Sequence, residues 1–464
     1  MKLVDNQLIN EEKLDHLLDI GTSYDLGKRE LFILNRRNLI YTNNFLVNTE
    51  ALIQIIQSLL ITINDQEDYF ENIYGRLSSI SVSIENDLKT ITEEIIKGLA
   101  VIIVGNSSKA LVIDIRNYPT RGVSEPDSEK VVRGSKEGFT ENIATNVSLV
   151  RRRVKTTDLM VLKYVIGEFS KTEIAVIYLK SKVNRKALNE LMNRLDNIKV
   201  SELTMTDKAL EELLTKRPFS PYPMVKYTER PDTLVIHLYQ GLFGIIVDTS
   251  PSVMLAPTTI FDHFQAPEEY RQTAMSGTFL RILRFLGIFI SFLLVPLWLS
   301  IVNTIDFKNT ILEQVMHLEY SRTIIFIQVI LGEISIELVR MASIHTPNSL
   351  STSMGLIVGI VLGGIAVELG IISNTILLLT AISAVGSFIT PSYELSLANK
   401  MLKLILIVFS YLFKLPGLII TLILIFIYLL TLRSFNESYL KPLIPFNLKN
   451  LIKQFIRIPY RNNK

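Results

Sequence analysis

One uncharged run limits what this chain can fold into. Residues 285–302 read FLGIFISFLLVPLWLSIV and contain no charged side chain. A helix needs about 20 mostly apolar residues to cross a bilayer, and basic or aromatic residues typically flank such a helix, here Arg281, Arg284 and Trp298. The sequence predicts an α-helical transmembrane domain over residues 281–432 with four to six crossings, because further apolar segments follow at 321–341, 354–372, 374–391 and 401–432.

Charge is distributed unevenly along the chain. The net charge is +3, but residues 433–464 carry seven basic side chains and one acid, Glu437, so the rest of the chain is slightly acidic. An acidic body argues against nucleic acid as a partner. The chain has no cysteine, which excludes disulfides, thiolate metal sites and cysteine nucleophiles.

The region before the apolar segments has the pattern of an α/β protein. Residues 1–95 predict a small mixed α/β subdomain, with a helix in ALIQIIQSLLITI (51–63) and a β-hairpin in LFILNRRNLIYTNNF (31–45) that turns at NRRN. Residues 96–280 predict a second α/β subdomain with a charged lead-in. Its short β-branched strand candidates are LAVIIVG (99–105), KALVIDI (109–115), EIAVIYL (173–179), DTLVIHL (232–238) and LFGIIVD (242–248).

Basic flanks predict the orientation of the helical domain. Arg281 and Arg284 precede the first span and the basic tail follows the last one, so both the N-terminal region and the tail are expected in the cytosol. That arrangement needs an even number of crossings, whereas five simple spans give an odd one. Either residues 401–432 form a hairpin at Lys414-Leu-Pro-Gly417, or residues 321–341 do not fully cross.

The segment GLIVGIVLGGIAVELGIISN (355–374) combines small residues with one acid. At 100° per residue, five small residues fall within about 80° on one helical face, which allows close packing of helices in lipid. We predict that this stripe joins subunits of an oligomer; it consists of Gly355, Gly359, Gly363, Ala366 and Gly370.

The opposite face of that segment carries Glu368. A carboxylate facing lipid is costly, so Glu368 either borders an ion pathway or caps the helix end near Ser373 and Asn374. The candidate pathway on this helix comprises Ile357, Val361, Gly364 and Glu368.

A second polar stripe lies in TIIFIQVILGEISIELVRMA (323–342). Glu333, Glu337 and Arg340 share one face of the predicted helix. They either face a lumen, which makes Glu333 a further candidate pathway residue, or lie paired against the protein.

In the C-terminal domain, residues 433–464, the sequence pattern predicts a basic amphipathic helix. Apolar residues alternate there with cations at four-residue spacing, a pattern that suits contact with anionic lipid headgroups. The predicted headgroup ligands are Lys449, Lys453, Arg457 and Arg461.

Motifs for catalysis are missing from the sequence. There is no G-x-x-x-x-G-K-[ST] loop, no H-E-x-x-H and no G-x-S-x-G, and the five histidines are scattered. GNSSK (105–109) predicts a strand-to-strand turn, and His237 is expected in the core or at an edge of a strand. We therefore expect no enzymatic activity, no cofactor and no metal site.

The stretch VVRGSKEGFTENIATNVSLVRRRVK (131–155) resembles the signature of the GerA spore germination family, the A subunits of nutrient germinant receptors. The similarity continues in order to residue 446, through the glycine segment and TLRSFNESYLKPLIP. The segments TERPD, VDTSPSV and HFQAPEEYRQ look more like a sporulation paralogue within the family than a nutrient-receptor A subunit, which stays as the alternative.

This resemblance implies an integral protein of the spore inner membrane. It also implies that subunits oligomerise into a cation-conducting channel that releases ions during germination, together with partner membrane proteins. Two other classes stay open on the residues alone. A secondary transporter would show paired interrupted helices, of which only Pro416-Gly417 is visible, and a non-conducting scaffold or sensor would anchor partners through the N-terminal region.

Overall fold

The described part of the chain consists of two five-stranded antiparallel sheets, a short two-stranded hairpin and a helical bundle. The computed structural model describes residues 2–60, 68–77, 81–118, 129, 134–302, 320–345 and 364–459. These residues form two compact units. The first comprises residues 1–218 with 225–257, and the second comprises residues 219–224 with 258–464.

The first sheet has the strand order β1-β2-β4-β5-β3 and carries helices on both faces. Leu34 and Asn35, both at positive φ, form the turn of the β1–β2 hairpin, one position before the predicted NRRN. We call this part the first lobe; its elements are α1 (Gln7–Leu18), β1 (Leu26–Ile33), β2 (Arg36–Asn43), α2 (Thr49–Leu60), α3 (Tyr69–Gly75), β3 (Val82–Glu85), α4 (Leu88–Ile96), β4 (Ala100–Val104) and β5 (Ala110–Ile113).

The second sheet has the order β6-β7-β9-β10-β8 and is also antiparallel throughout. Helices α5 and α8 pack on it through a core that includes Val147, Leu234 and Ile246. We call this part the second lobe; its elements are α5 (Ile143–Arg153), β6 (Leu159–Ile166), β7 (Thr172–Leu179), α6 (Arg185–Asn197), α7 (Thr206–Leu214), β8 (Lys226–Thr228), α8 (Pro231–Tyr239), β9 (Phe243–Val247) and β10 (Val253–Ala256).

The two lobes repeat one topology. Each has one helix, a hairpin, two helices, one strand, one helix and a second hairpin, and each arranges its five strands in the same spatial order. A hydrogen-bonded detail also recurs. The buried Asn10 amide bonds the backbone N–H and C=O of Val4, and the buried Asn146 amide bonds those of Thr140. The first unit is therefore a structural duplication.

The structure corrects two predictions in this unit. The predicted subdomain boundary between residues 95 and 96 cuts the first sheet, because β4 and β5 pair with β2 and β3; the first lobe ends after β5. Residues 232–238 were predicted as a strand but belong to α8, where Pro231 at the first turn and Asp232 favour a helix start. His237 is thus a buried helix residue. The other strand candidates, the GNSSK turn and the 51–63 helix within the described residues are confirmed.

The second unit is helical and its described elements coincide with the predicted apolar segments. A capped helix α9 (Ile260–Phe264) and a 3₁₀ turn (Pro267–Arg271) lead into it. The long helices are α10 (Ala274–Ile301), α11 (Arg322–His345), α12 (Asn374–Phe388) and α13 (Tyr393–Thr431); a two-residue hairpin of β11 (Arg433–Ser434) and β12 (Glu437–Ser438) and the tail helix α14 (Leu448–Phe455) follow.

Helix α13 is a hairpin of two antiparallel halves. Lys414 has φ 58° and ψ −142°, outside the helical range, and separates the halves 393–413 and 415–431. Tyr222 contacts both halves, with its hydroxyl 3.5 Å from Asn399 Oδ1 and its ring centroid 6.4 Å from that of Tyr428. A straight helix would separate those two residues by about 43 Å. Of the two alternatives from the sequence, the structure shows the hairpin.

The helices of the second unit run alternately in opposite directions. Ser383 of α12 bonds Ser291 of α10, and the start of α11 meets the end of the first half of α13 through Arg322 and Ser410. Val302, Ile325, Ile376 and Ile407 share one apolar cluster, which we call the distal end of the bundle. His345 lies beyond Arg340, which bonds Ser396 at the opposite, proximal end. His345 and Ile372 therefore lie toward opposite ends of the bundle.

Candidate functional site

Five charged side chains meet inside the helical unit. The polar stripe on α11 faces the first half of α13, which contributes two lysines that the sequence analysis did not single out. We call this group the charged cluster; its members are Glu333, Glu337, Arg340, Lys400 and Lys403.

The most deeply buried pair of the charged cluster is Glu333 with Lys403. Their relative exposures are 3% and 5%, and the Lys403 ammonium donates to the Glu333 carboxylate and to Ser383 Oγ, the latter at 2.6 Å. The Ser383 hydroxyl in turn donates to the backbone carbonyl of Ser291 at 2.8 Å. Helices α10, α11, α12 and α13 are thus joined through one polar chain.

The remaining three charges lie toward the proximal end. Glu337 accepts from Lys400 at 2.7 Å and lies 2.9 Å from Arg340. Arg340 also donates to Ser396 and stacks over the ring of Tyr393 at 5.1 Å. With three cations and two carboxylates the charged cluster has a formal charge of +1, and each carboxylate has at least one cation beside it.

A polar cavity adjoins the charged cluster. Its volume for a water-sized molecule is about 20 Å³, enough for about one water, it is partly open to the outside, and nine of its ten lining residues are polar. Hydroxyl and amide groups can bind water or ions where an apolar wall cannot. Besides Glu333, Lys400 and Lys403, the lining residues are Ser291, Ser383, Ala384, Ser387, Thr390, Ser396 and Asn399.

Sequence reasoning placed Glu333, Glu337 and Arg340 on one face correctly but left their surroundings open. The structure shows them paired against the protein and next to a cavity. Lys400 and Lys403 were missed, although a lysine pair at i,i+3 opposite an acid pair at i,i+4 was the available signal. Without the antiparallel contact of α11 and α13, nothing in the sequence relates the two pairs.

The described end of the glycine segment is a helix terminus. Residues 364–368 are helical, and Gly370 has φ 68°, so the Ile371 N–H bonds the Ala366 carbonyl and the helix ends. Gly370 therefore lies in the terminating turn and not on the helical face that the stripe requires. Glu368 lies in the last turn and is exposed, and Gly364 has an open Cβ position.

Other predicted site residues fall outside the described part of the chain, namely Gly355, Ile357, Gly359, Val361, Gly363 and Arg461. The structure does not bring Glu368 to Glu333. Glu333 pairs with Lys403 near the middle of the bundle, whereas Glu368 precedes Ile372, which packs in the distal cluster.

The tail helix α14 distributes its predicted headgroup ligands differently. Lys449 and Lys453 are exposed, beside an exposed apolar row that includes Leu448 and Ile452. Arg457 is not free for lipid, because its guanidinium donates to the backbone carbonyls of Gln272 and, at 2.8 Å, Tyr270.

The sequence matches the family profile described as "Bacillus/Clostridium GerA spore germination protein" over residues 12–464. This chain belongs to the GerA spore germination family. The match spans the first unit from residue 12, the charged cluster and the tail helix, in agreement with the resemblance seen in the sequence.

Relatives in the family include proteins of sporulation and of germination. The chain is 40% identical over 455 residues to "Stage V sporulation protein AF" of Bacillus subtilis (strain 168), covering 97% of this chain and 92% of that protein. It is 30% identical over 416 residues to "Spore germination protein A1" of the same organism, covering 88% and 86%. The first similarity confirms the sporulation paralogue that the sequence indicated.

Part of the chain is similar to a solved structure. It is the crystal structure of the N-terminal domain of the A subunit of the Bacillus megaterium spore germinant receptor GerK3, at 26% identity and a TM-score of 0.44, covering 55% of this chain and 96% of that one.

Proposed function

We propose that this protein is a non-enzymatic subunit of an oligomeric cation channel in the spore inner membrane, which releases ions during germination. Membership of the GerA family supports the place in germination. The observation that carries the channel is the charged cluster beside a polar cavity, within helices whose outer surfaces are apolar. Ionisable groups at such a place in a membrane protein mark ion or substrate routes.

The exposed surface of the second unit supports insertion in a membrane. Helices α10 and α13 are long and apolar enough to span a bilayer by length and composition. Large apolar side chains are exposed along each long helix, for example Phe289, Leu331, Ile382 and Ile423. A soluble surface rarely exposes apolar groups so continuously.

The alternating helices support six crossings. These are α10, α11, the apolar segment 354–372 predicted from the sequence, α12, and the two halves of α13. An even number leaves the first unit and the C-terminal tail on one side, as the basic flanks require for a cytosolic location. The hairpin removes the parity conflict that five simple spans created.

We propose that the glycine segment provides the contact between subunits. Cysteines at Gly359 and Gly363 should cross-link neighbouring copies in the assembled protein if this segment forms the contact. The chain has no other cysteine, so any cross-link can be assigned to the introduced ones. A cysteine at exposed Ile423 on the second half of α13 is the control for random collision. Absence of cross-links at both glycines in an oligomer of measured size would contradict this contact.

Conduction is tested with the purified protein in liposomes and a potassium-flux readout. Replacing Glu368 by Gln should change the flux if this carboxylate borders the pathway, and replacing the exposed Glu394 by Gln should not. Liposomes that contain the oligomer and show no flux above protein-free liposomes would reject conduction by this chain alone.

A non-conducting scaffold or sensor is the second candidate. Its support is that every carboxylate of the charged cluster is paired, as in a rigid bundle. The flux experiment separates the two. In either case we propose other germination proteins of the inner membrane as partners, and the role of a nutrient-receptor A subunit stays as an alternative that ligand-dependent flux would reveal.

We propose that α14 lies on anionic lipid headgroups through Leu448, Lys449, Ile452 and Lys453. An environment-sensitive dye on Ile452→Cys should report an apolar surrounding in anionic nanodiscs. The emission should shift toward that of water when Lys449 and Lys453 are both replaced by Gln. If the dye on Ile452→Cys shows emission typical of water while Lys449 and Lys453 are both retained, lipid contact is contradicted.

A further inference from the structure

The Lys403 ammonium sits in a pocket of oxygen acceptors. It contacts a carboxylate oxygen of Glu333 and the hydroxyl oxygen of Ser383, and both partners are buried. The Ser383 hydroxyl proton is committed to the Ser291 carbonyl at 2.8 Å, so its lone pairs are directed at Lys403. The hydroxyl therefore acts as an acceptor here, which suits a cation and not an anion.

We propose that Glu333 and Ser383 form a binding site for a monovalent cation, and that the tethered ammonium of Lys403 occupies this site in the present structure. The inference rests on the proposed channel function and deepens it, since it assigns an ion site and the group that closes it. A lysine ammonium is a compact point charge on a flexible four-carbon stem. It resembles a potassium ion in charge and approximate size.

The polar cavity offers the Lys403 side chain a second position. Lys403 lines it together with Asn399 and Ser387, whose amide and hydroxyl oxygens can accept the ammonium once it leaves Glu333. The formal charge of +1 on the charged cluster opposes entry of another cation while Lys403 stays in place. The lysine thus competes with the permeant ion for one carboxylate, and withdrawal of Lys403 opens the site.

Replacing Lys403 by Met tests this site without reference to conduction. The variant leaves Glu333 buried and unpaired, which destabilises a folded protein strongly. We expect the full-length variant in detergent to melt at a lower temperature than wild type in choline chloride. Potassium or rubidium chloride at equal ionic strength should raise its melting temperature saturably, by about 2 °C or more.

Two variants serve as controls. In Lys400→Met, Glu337 keeps Arg340 at 2.9 Å, so its melting temperature should not depend on potassium. In Glu333→Gln with Lys403→Met no charge is left to attract a cation, and potassium dependence should again be lost. A third variant, Lys403→Ala, should be restored by both methylammonium and potassium.

The outcomes separate this site from the channel. A Lys403→Met variant that melts equally in choline and potassium, or that cannot be isolated folded in potassium chloride, overturns the site, as does rescue of Lys403→Ala by methylammonium alone. Potassium-dependent melting without liposome flux leaves the site standing and rejects conduction. Flux by Lys403→Met without potassium-dependent melting leaves conduction standing and rejects the site.

Discussion

Asp25 of the first lobe and Arg151 of the second lobe form a buried bidentate ion pair. Arg151 Nε lies 2.6 Å from Asp25 Oδ2 and Arg151 Nη2 lies 2.9 Å from Oδ1. The guanidinium also donates to the backbone carbonyls of Thr156 and Leu159. The Asp25 carboxylate also accepts hydrogen bonds from the side chains of Ser23 and Asn43. Both buried charged groups therefore have several hydrogen-bond partners. The two lobes of the duplicated unit are therefore locked by charge as well as by packing.

Replacing Arg151 by Met should loosen this junction. The change leaves Asp25 buried without its cation, which typically costs about 3–5 kcal/mol of folding free energy. Hydrogen exchange of the full-length protein should become faster in β1 and α5. Replacing the adjacent Arg152, a partly exposed partner of Glu137, by Met should cost no more than about 1 kcal/mol. Equal exchange in both variants would contradict a structural role for the buried pair.

His237 predicts a pH dependence of stability. Burial, together with the nearby charge of Lys226, lowers the pKa of His237 to about 3. An unfolded histidine has a pKa of about 6.5, so below that pH the unfolded chain takes up a proton that the folded chain does not. This stability is complete above pH 6.5 and is lost as the pH falls toward 3.

The comparison with His237→Leu isolates that contribution. The wild type should lose up to about 1.4 kcal/mol per pH unit relative to the variant between pH 6.5 and pH 5. Melting temperatures of both proteins at pH 8, 6.5 and 5 measure the difference. A constant difference across these values would mean that His237 binds protons equally in the folded and the unfolded chain, which would contradict a lowered pKa in the folded protein.

The same residue shows where prediction from sequence stops. DTLVIHL is short, apolar and β-branched, and a buried helix cannot be distinguished from a buried strand by such a run. In contrast, LAVIIVG (99–105) and EIAVIYL (173–179) were predicted correctly as strands, and they contain β4 and most of β7. The duplication of the two lobes left too little identity in sequence to be noticed, since the repeat lies in strand order and in buried asparagines.

Gly386 lies where α12 packs so closely against α10 that a larger side chain would clash. A Cβ there would lie 2.3 Å from the Gly287 carbonyl oxygen and 3.0 Å from Ser291 Cβ. Gly386→Ala should separate the helices and lower the unfolding free energy by about 1–3 kcal/mol. In Gly332→Ala the nearest atom is a Thr380 methyl at 3.3 Å, and the gain in helix propensity offsets the contact. Equal melting temperatures for the two variants would contradict the close packing.

Only part of the charged cluster could be predicted from the sequence. Periodicity places Glu333, Glu337 and Arg340 on one face, because that requires only helical geometry. Their partners Lys400 and Lys403 lie more than 60 residues away, and the pairing depends on the antiparallel direction of α13. That direction is set by connections that periodicity does not encode. The acids of α11 and the lysines of α13 are complementary in charge. This complementarity indicates a pairing only once the two helices are known to be in contact.

The hairpin in α13 predicts the position of Lys414. Ser410 near the turn accepts from Arg322 at the distal end of α11, so Lys414 should reach the membrane surface opposite the tail. Because the chain lacks cysteine, Lys414→Cys and Lys449→Cys each carry one thiol. A membrane-impermeant maleimide should label them in vesicles of opposite orientation. A single straight helix of 39 residues would instead bury Lys414 in hydrocarbon, and its thiol would be labelled in neither orientation.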